Sequence, residues 1–293
     1  MGPQPLISIY LPTHGRPQLA VRAARSVLAQ SYRNFELLIV VDGRDQDAER
    51  ELGDLGDPRV QVMVLPDSVG ACRARNLAIG EARGEYVTGL DDDDELTSGH
   101  LAGLLAALQT SGAAFACTTS LLRRKEGDSV RHRWAGPIVL DRLLEQNVVG
   151  NQVLTRTESI RSVGGFDPEM PAWQDYDLWV RLCSTFGPGV RVDARSYILH
   201  ADHDLPRITR KERIFAAHAR FLQKHAARLS ARQRASLELL AYATTHTRFS
   251  ALKLARFSFA GHAGRALSAY ALDRFTPARG LLRKLESKLG AAK

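Results

Sequence analysis

Residues 70–96, "GACRARNLAIGEARGEYVTGLDDDDEL", decide the fold. The first part of this stretch predicts a helix, and "EYVTGL" predicts a short apolar strand. The strand runs directly into four consecutive aspartates, Asp91 to Asp94. Two unit charges 4 Å apart repel by about 1 kcal/mol in water and by about 4 kcal/mol at an effective dielectric constant of 20. Such a row therefore needs a nearby cation or an unusually open surface.

The alternation of strand and helix continues on both sides of this stretch. Strands are predicted at "LISIYLP", "FELLIVV", "RVQVMVL", "EYVTGL" and "AAFACTTSLL", with a helix after each of the first four. Short apolar strands separated by helices predict parallel βαβ units with both sheet faces covered. Ligands of such sheets bind beyond the carboxyl ends of the strands. The residues to examine are therefore 12–14, 42–43, 66–68 and 91–94.

The second half of the chain changes in character. The alternation fades after about residue 125, and a helix from about Asp175 to Phe186 and a strand, "VRVDARSYIL", follow. From Arg207 onward the sequence is helical and rich in alanine and arginine. Residues 1–206 contain 21 Lys+Arg and 28 Asp+Glu, whereas residues 207–293 contain 19 and 4. This asymmetry predicts an acidic main domain, 1–206, and a basic helical region, 207–293.

Composition excludes several classes of protein. Of the 293 residues, 44% are hydrophobic and 25% are charged, which is typical of a globular chain. No apolar run approaches the roughly 20 residues that span a bilayer, and the first residues lack the basic start of a signal peptide. Three well-separated cysteines provide neither a zinc site nor a disulfide framework. We expect a cytoplasmic protein. The absence of Gly-x-Gly-x-x-Gly and of a P-loop disfavours dinucleotide and P-loop chemistry.

The aspartates allow several interpretations. Acids favour the positive end of a helix dipole, so Asp94 could begin the following helix. A calcium loop starting at Asp91 fails, because it needs glycine at Leu96 and glutamate at Ala102. An aspartate-nucleophile phosphatase is disfavoured by Glu95, where a small β-branched residue is usual. An Asp-x-Asp site for Mg²⁺ or Mn²⁺ is favoured, because such cations take carboxylate oxygens and keep positions for phosphates.

Four segments in order resemble a known family. They are "ISIYLPTHGRPQLAVRAARSVLAQSYRNFELLIVVDG", "GACRARNLAIGEARGEYVTGLDDDDEL", "VGGFDPEM" and "WQDYDLWVRL". Over roughly residues 6–203, the chain resembles the inverting nucleotide-sugar glycosyltransferases of family 2. The resemblance implies the α/β GT-A fold, a Rossmann-like and mostly parallel sheet flanked by helices, here with a C-terminal helical extension. It divides the main domain into a nucleotide-sugar-binding half, 1–95, and an acceptor-side half, 96–206.

The resemblance implies the residues that bind the donor. Asp42 would hydrogen-bond the nucleobase, and Pro12 and His14 would line it. Arg75 and Asn76 would face the nucleotide, where a guanidinium suits a pyrophosphate. Three of them have a structural alternative: a turn residue for Asp42, a surface loop histidine for His14 and a solvated helix arginine for Arg75.

The implied cofactor is Mn²⁺ or Mg²⁺ at the aspartate run. Asp93 would be a direct ligand, Asp91 would act directly or through water, and Asp92 would lie near the ribose. His200 follows the last strand, where relatives place a histidine that contacts the metal or the diphosphate. His203 is the alternative candidate for this contact. His200 could also be an exposed histidine without such a role.

Inverting transfer also needs a base that removes the acceptor proton as the oxygen attacks the anomeric carbon. The resemblance assigns this role to Asp175, with Gln174 where glutamate is commoner. Asp177 is the competing candidate and a predicted acceptor contact, although either aspartate could instead cap the helix. Trp173 could stack on an acceptor sugar, whereas Trp179 is expected in the core.

The basic region, residues 207–293, has three interpretations. Its arginines could simply solvate helices, bind nucleic acid or contact anionic lipid, where each is worth about 1 kcal/mol. No nucleic-acid motif accompanies the charge, so no nucleic-acid partner is expected. A stripe formed by Leu281, Leu282, Leu285 and Leu289 fits an interfacial helix. We favour peripheral contact at the inner face of the cell membrane.

The functional expectation is a metal-dependent inverting glycosyltransferase. Its donor would be a nucleotide-diphospho-sugar, with a UDP-sugar favoured, and its acceptor a glycan or lipid-linked hydroxyl. The resemblance places it in assembly of polysaccharide, lipopolysaccharide or glycolipid. Two other classes remain open at this point: a non-catalytic nucleotide-sugar-binding relative, and a nucleic-acid-binding protein that uses the basic region.

Overall fold

The structure, a computed structural model, describes residues 4–131, 134–201 and 211–274. The chain divides into two compact units. The first comprises Met1–Leu143, Asn147–Met170 and Gln174–Pro206, and the second Leu144–Gln146, Pro171–Trp173 and Arg207–Lys293. The predicted domain boundary after residue 206 stays a prediction. His203 and the leucine stripe at residues 281–289 lie outside the described residues.

The first unit is built on one mixed sheet. Its strands are β1 (Ile7–Thr13), β2 (Phe35–Val41), β3 (Val60–Val64), β4 (Tyr86–Gly89), β5 (Glu95–Leu96), β6 (Phe115–Arg123), β7 (Ser129–Arg131), β8 (Gly136–Ile138), β9 (Leu154–Arg156) and β10 (Gly189–His200). The order is β3-β2-β1-β4-β9-β6-β10-β5, with β7 beside β6 and β8 beside β10. Its helices are α1 (Pro17–Leu28), α2 (Gln46–Gly53), α3 (Ala71–Glu81), α4 (His100–Ser111), α5 (Leu140–Leu143), α6 (Thr157–Ser162) and α7 (Gln174–Phe186).

The four N-terminal strands pair in parallel, as their continuous apolar sequences predict. β1 pairs with β2 and β4, and β2 pairs with β3. Every residue of β1 and β2 is buried, because helices cover both faces of this part of the sheet. The carboxyl ends of β1, β2, β3 and β4 consequently lie along one edge.

The C-terminal half of the sheet is mixed. β9 lies between β4 and β6 and is antiparallel to both, so β4 and β6 do not pair directly. The antiparallel ladders are two or three residues long, whereas the parallel ladder of β6 and β10 has eight paired residues. Most of the pairing is therefore parallel. Three-residue β9 was not predicted, because so short a strand has no detectable periodicity.

Two local predictions are wrong. Asp94 does not begin the next helix, since α4 begins at His100 with Gly99 at its N-cap. The intervening Glu95–Leu96 forms β5 and pairs with β10. Pro12 does not follow the first strand but lies buried within β1, opposite Val40. A proline fits there because the ladder of β1 with β4 ends at Tyr10, so Pro12 pairs with β2 alone.

The second unit is helical, as predicted. Its described helices are α8 (Lys211–Lys224), α9 (Ala231–Thr245), α10 (Ala251–Phe257) and α11 (Ala263–Arg274), with a 3₁₀ turn at Ala226–Arg228 and a π-helical segment at Ser258–His262. α9 begins with a reciprocal capping box between Ser230 and Gln233. Ala235, Leu239, Phe249, Phe257 and Ala266 form the core of these helices. None of the described helices is both long and apolar enough to cross a membrane.

Candidate active site

Arginines supply the positive charge that the aspartate run requires. Arg16, just beyond β1, places its Nη2 2.5 Å from Asp92 Oδ1 and its Nη1 3.3 Å from Asp93 Oδ2. Its Nε also donates to Asp92 Oδ2 at 3.1 Å. Thr13 Oγ1 donates to the same oxygen at 2.8 Å. Because β1 and β4 are parallel neighbours, the loops after them meet at one edge and bring these groups together.

Asp91 has a separate set of partners. Arg75 Nη2 lies 2.8 Å from Asp91 Oδ1, and the Arg75 guanidinium stands 5.2 Å from the centre of the Phe166 ring. Gln152 Nε2 and Asn151 Nδ2 also donate to Asp91, at 3.3 and 3.4 Å. Only 13% of the Arg75 side chain is exposed. The alternative that Arg75 is a solvated helix arginine is therefore wrong.

Burial raises the pKa values of two carboxyls in the run. The pKa of Asp92, whose side chain is 1% exposed, rises to about 6 because of burial, although Arg16 and Thr13 oppose the change. Burial also raises the pKa of Asp94 well above its ordinary value, with Asp91 and Asp93 acting in the same direction. The region therefore favours bound positive charge.

Asp175 is electrostatically coupled to this cluster. It lies in the first turn of α7 and is partly buried. Burial raises its pKa to about 7, Arg75 opposes the rise and Asp91 adds to it. The structure thus brings the predicted base close to Arg75 and Asp91. A carboxyl with a pKa near 7 can accept a proton at neutral pH, which is what general-base catalysis requires.

His200 lies at the end of β10 beside the acidic run. Its backbone N–H donates to Asp94 Oδ1 at 3.0 Å, and its ring Nε2 is 2.8 Å from Glu95 Oε1. The side chain is buried. In this structure His200 is therefore held by Glu95, which sequence reasoning had not included, and its predicted contact to a metal stays a prediction.

Asp42 anchors a loop. Its carboxylate is buried and accepts hydrogen bonds from Ser68 Oγ (3.0 Å) and from the backbone N–H groups of Val69 (2.6 Å) and Gly70 (2.9 Å). These bonds fix the connection between β3 and α3. The exposed His14 places Nδ1 2.5 Å from the Asp42 carbonyl oxygen. Contact of Pro12, His14 and Asp42 with a nucleobase stays a prediction.

Asn76 holds the segment after α6, and its predicted contact with the nucleotide stays a prediction. Its Nδ2 donates to the Phe166 carbonyl at 2.7 Å, and its Oδ1 accepts from the Phe166 N–H at 2.8 Å. A side chain at Gly165 would place its Cβ 2.4 Å from that same oxygen, so glycine is required there. Both functional groups of Asn76 are used to hold the segment after α6.

Asp177 is also structural. Its side chain is fully buried, and its Oδ2 lies 2.8 Å from both Nε and Nη2 of Arg181. Arg181 in turn donates to the carbonyls of Val163 and Gly165. An acceptor cannot reach a side chain in this position, so the predicted contact of Asp177 to an acceptor is wrong. Neither Asp175 nor Asp177 caps α7, because both lie inside its first turn.

Trp173 belongs to the second unit. Its backbone has a left-handed φ of 60°, which is strained for an aromatic residue. Its ring meets those of His218 and Phe221 edge-on, with centroids 6.1 and 5.9 Å away. Stacking on an acceptor sugar stays a prediction. Trp179 is fully buried, as predicted.

Sequence reasoning missed Arg16 and Gln152. Arg16, like His14, follows β1, so its position at the carboxyl edge of the sheet could have indicated a place in the site. Gln152 precedes the unpredicted strand β9 and accepts a hydrogen bond from Tyr10 Oη at 2.6 Å while donating to Asp91. No pattern in the sequence connects it to the aspartates.

The chemistry of the carboxylates fits a divalent cation that a phosphate ligand helps to hold. Among the described residues, no three His, Cys, Asp or Glu side chains are grouped closely enough to hold a metal by themselves. Asp91 and Asp93 are partly exposed and offer hard oxygen donors. Mg²⁺ is usually held by one or two carboxylates together with substrate phosphates. The residues therefore fit a metal bound jointly with a diphosphate.

The chain belongs to glycosyl transferase family 2. The model of that family, "Glycosyl transferase family 2", matches residues 8–163. WcaA of Escherichia coli K12, which bears the name of a colanic acid biosynthesis glycosyl transferase, is 36% identical over 234 residues, covering 77% of this chain and 83% of WcaA. TuaG of Bacillus subtilis, named for teichuronic acid biosynthesis, is 28% identical over 185 residues, covering 61% and 72%.

Solved structures confirm the GT-A-type α/β fold. Staphylococcus aureus TarS 1-349 in complex with UDP-GlcNAc aligns with a TM-score of 0.61 and 14% identity, covering 94% of this chain and 92% of that chain. The mannosyltransferase PcManGT of Pyrobaculum calidifontis, in complex with GDP-Man and Mn²⁺, aligns with a TM-score of 0.60 and 16% identity, covering 98% and 81%. The protein is therefore a family 2 glycosyltransferase with this fold.

Proposed function

We propose that this enzyme transfers a sugar, with inversion, from a nucleotide-diphospho-sugar to a hydroxyl of a glycan or lipid-linked acceptor. The observation that carries the proposal is the cluster of Asp175, Arg75 and Asp91 beside the remaining aspartates. It combines a base poised near neutral pH with cationic and anionic groups suited to a metal diphosphate. The names of WcaA and TuaG support a place in cell-surface polysaccharide assembly.

Asp175 would act as the general base. Burial raises its pKa to about 7, so the carboxyl can exchange a proton near neutral pH. The carboxylate would take the proton of the acceptor hydroxyl while its oxygen attacks the anomeric carbon from the face opposite the diphosphate. Arg75 holds its charge beside Asp91 and Asp175, which keeps part of the Asp175 population ionised despite burial.

Asp91 and Asp93 would hold Mn²⁺ or Mg²⁺, which would offset the charge that develops on the leaving diphosphate. Arg16 and Arg75 lie at the same edge and would provide further positive charge for the phosphates. Gln152 and Asn151 keep the Asp91 carboxylate in place through their amide groups. Asp92 is buried and accepts hydrogen bonds from Arg16 and Thr13, and its place near the ribose stays a prediction.

A UDP-sugar is our favoured donor, although the comparisons support the donor class more broadly. TarS was solved with UDP-GlcNAc and PcManGT with GDP-Man and Mn²⁺. Both ligands share a nucleoside diphosphate and a sugar. A thermal-shift screen of UDP-, GDP- and dTDP-sugars with and without Mn²⁺ would identify the donor, since a ligand at 100 times its Kd adds about 2.7 kcal/mol of stability.

The decisive test compares Asp175→Asn with the wild-type enzyme. Loss of a general base typically lowers turnover by about 10²–10⁴-fold. We expect that loss in transfer assays with the identified donor, while donor binding measured by calorimetry stays unchanged. Asp47→Asn on α2 is the matched control, because that aspartate lies exposed on the surface. Unreduced turnover in Asp175→Asn would remove Asp175 as the base, and donor binding without any turnover in the wild type would contradict the transfer reaction itself.

A further inference from the structure

The second unit carries three exposed apolar side chains that the proposed chemistry does not use. Phe259 of the π-helical segment is 93% exposed, Leu252 of α10 is 81% exposed and Leu267 of α11 is 54% exposed. Every other exposed large hydrophobic side chain in the described residues reaches at most 46%, the value at Val139. Apolar side chains so fully in water, three within one unit, indicate a surface that meets a partner.

The fold prevents these side chains from turning inward. The inner side of α10 is already filled, because Phe257 is fully buried and Leu254 packs against the same core. Leu252 and Phe259 lie on the outer side. The chain kinks at Gly261, whose φ of 84° favours glycine, so Phe259 stands beside a break between α10 and α11.

Basic side chains surround Phe259. Phe259 borders a groove of about 660 Å³ that is also lined by Arg232, Arg234 and Arg256, and alanines and a glycine complete it. Residues 211–271 contain 11 Lys+Arg but only 2 Asp+Glu. Two acids lie beside the groove: Glu145 pairs with Arg232, and Glu238 is shared by Arg256 and Lys253. The local charge is thus strongly positive even after its ion pairs are formed.

We propose that this basic apolar surface, made of Leu252, Phe259 and Leu267 with Arg232 and Arg256, docks on a bilayer of anionic phospholipid. Phe259 and the leucines would enter the boundary between headgroups and acyl chains, and the arginines would lie among the phosphates. A polyanion such as RNA would satisfy the arginines but leave the two leucines in water. A second copy of the chain would bring the same positive groove against this one and be repelled.

The first experiment is co-sedimentation of the full chain with vesicles of phosphatidylcholine alone or with about 30% phosphatidylglycerol, which supplies the negative surface charge that attracts basic residues. It uses neither donor nor acceptor, so its outcome is independent of the proposed transfer reaction. We expect binding only to the anionic vesicles, and Phe259→Ser should weaken it about tenfold or more. Phe186→Ser, which changes an exposed phenylalanine of α7, is the matched control for Phe259→Ser. Arg50→Gln, at an exposed arginine of α2, is the matched control for Arg232→Gln.

A site-specific probe tests the orientation. The native cysteines, Cys72, Cys117 and Cys183, are all buried, so Phe259→Cys can be labelled selectively with an environment-sensitive nitrobenzoxadiazole fluorophore. Its emission should rise on addition of anionic vesicles, whereas the same label at Ser111→Cys should not respond. Three results would each overturn the proposal. Phe259→Ser could bind vesicles as well as the wild type, or the fluorophore could show no change in emission although the protein sediments with the vesicles. Phe259→Ser could also convert a dimer into a monomer.

Discussion

Replacing Asp175 with asparagine should change stability in a way that depends on pH. In the folded chain the pKa of Asp175 is about 7, against an ordinary value of 3.8. Between about pH 4 and pH 7 the folded chain keeps a proton that the unfolded chain has lost. The contribution of Asp175 to stability therefore falls as the pH rises through this window and is smallest above pH 7.

The size of this effect follows from the pKa difference of about 3 units. One pKa unit corresponds to 1.36 kcal/mol, so the ionised carboxylate destabilises the folded state at pH 8 by at most roughly 4 kcal/mol. Asparagine has the same shape and never ionises. Asp175→Asn should therefore be as stable as the wild type near pH 4 and more stable at pH 8, by about 1 to 4 kcal/mol.

Urea unfolding of both proteins at pH 5, 6, 7 and 8 measures this difference directly. Asp47→Asn, at an exposed position on α2, controls for the substitution itself. In the wild-type enzyme, kcat/KM should also fall about tenfold per pH unit below 7, since only the carboxylate is a base. A stability difference that is the same at pH 5 and pH 8, or a rate that is flat between pH 5 and 7, would refute the raised pKa.

Three further substitutions test the rest of the site. Asp93→Ala should make donor binding independent of Mn²⁺ in calorimetry, and a donor affinity that still responds to the metal would place the cation elsewhere. Arg16→Gln removes a guanidinium that competes with a metal ion for Asp92 and Asp93. The donor-free chain should therefore bind Mn²⁺ several-fold more tightly, as measured by paramagnetic resonance of the free ion. Unchanged affinity would show that Arg16 does not compete. Asn76→Ala leaves two backbone groups of Phe166 without partners and should cost about 1–3 kcal/mol in urea unfolding, whereas a loss under 0.5 kcal/mol would contradict its structural role.

The parallel half of the fold could be predicted because its signal is local. Each of the first four strands is a short apolar run followed by a helix, and such units have one common arrangement. The same rule places the ends of those strands at one edge, which is why the aspartates were recognised as a site. β9 and β5 could not be found in this way, because two or three residues carry no periodicity and their pairing depends on distant strands.

The site was predictable in its charges but not in its contacts. The need of Asp91 to Asp94 for positive charge followed from electrostatics, whereas the identity of the cation, Arg16 and Arg75, depended on which loops meet. The bonds of Asn76 to Phe166 could not be predicted for the same reason, since Phe166 is remote in sequence. A sequence pattern shows the type of residue at an edge, and tertiary structure decides which partner each side chain finds.

The position of β9 also has a consequence for how the chain is made. β1, β2, β3 and β4 can pair once Gly89 has left the ribosome, but β6 has no direct partner among them. Until Leu154–Arg156 is synthesised, β4 and β6 each present an open edge, and such edges recruit other chains. Nascent chains that stop before β9 should therefore aggregate more readily than chains that include it. Because β9 joins the two halves of the sheet, its three residues would commit the nascent chain to its native topology before β10 completes the sheet.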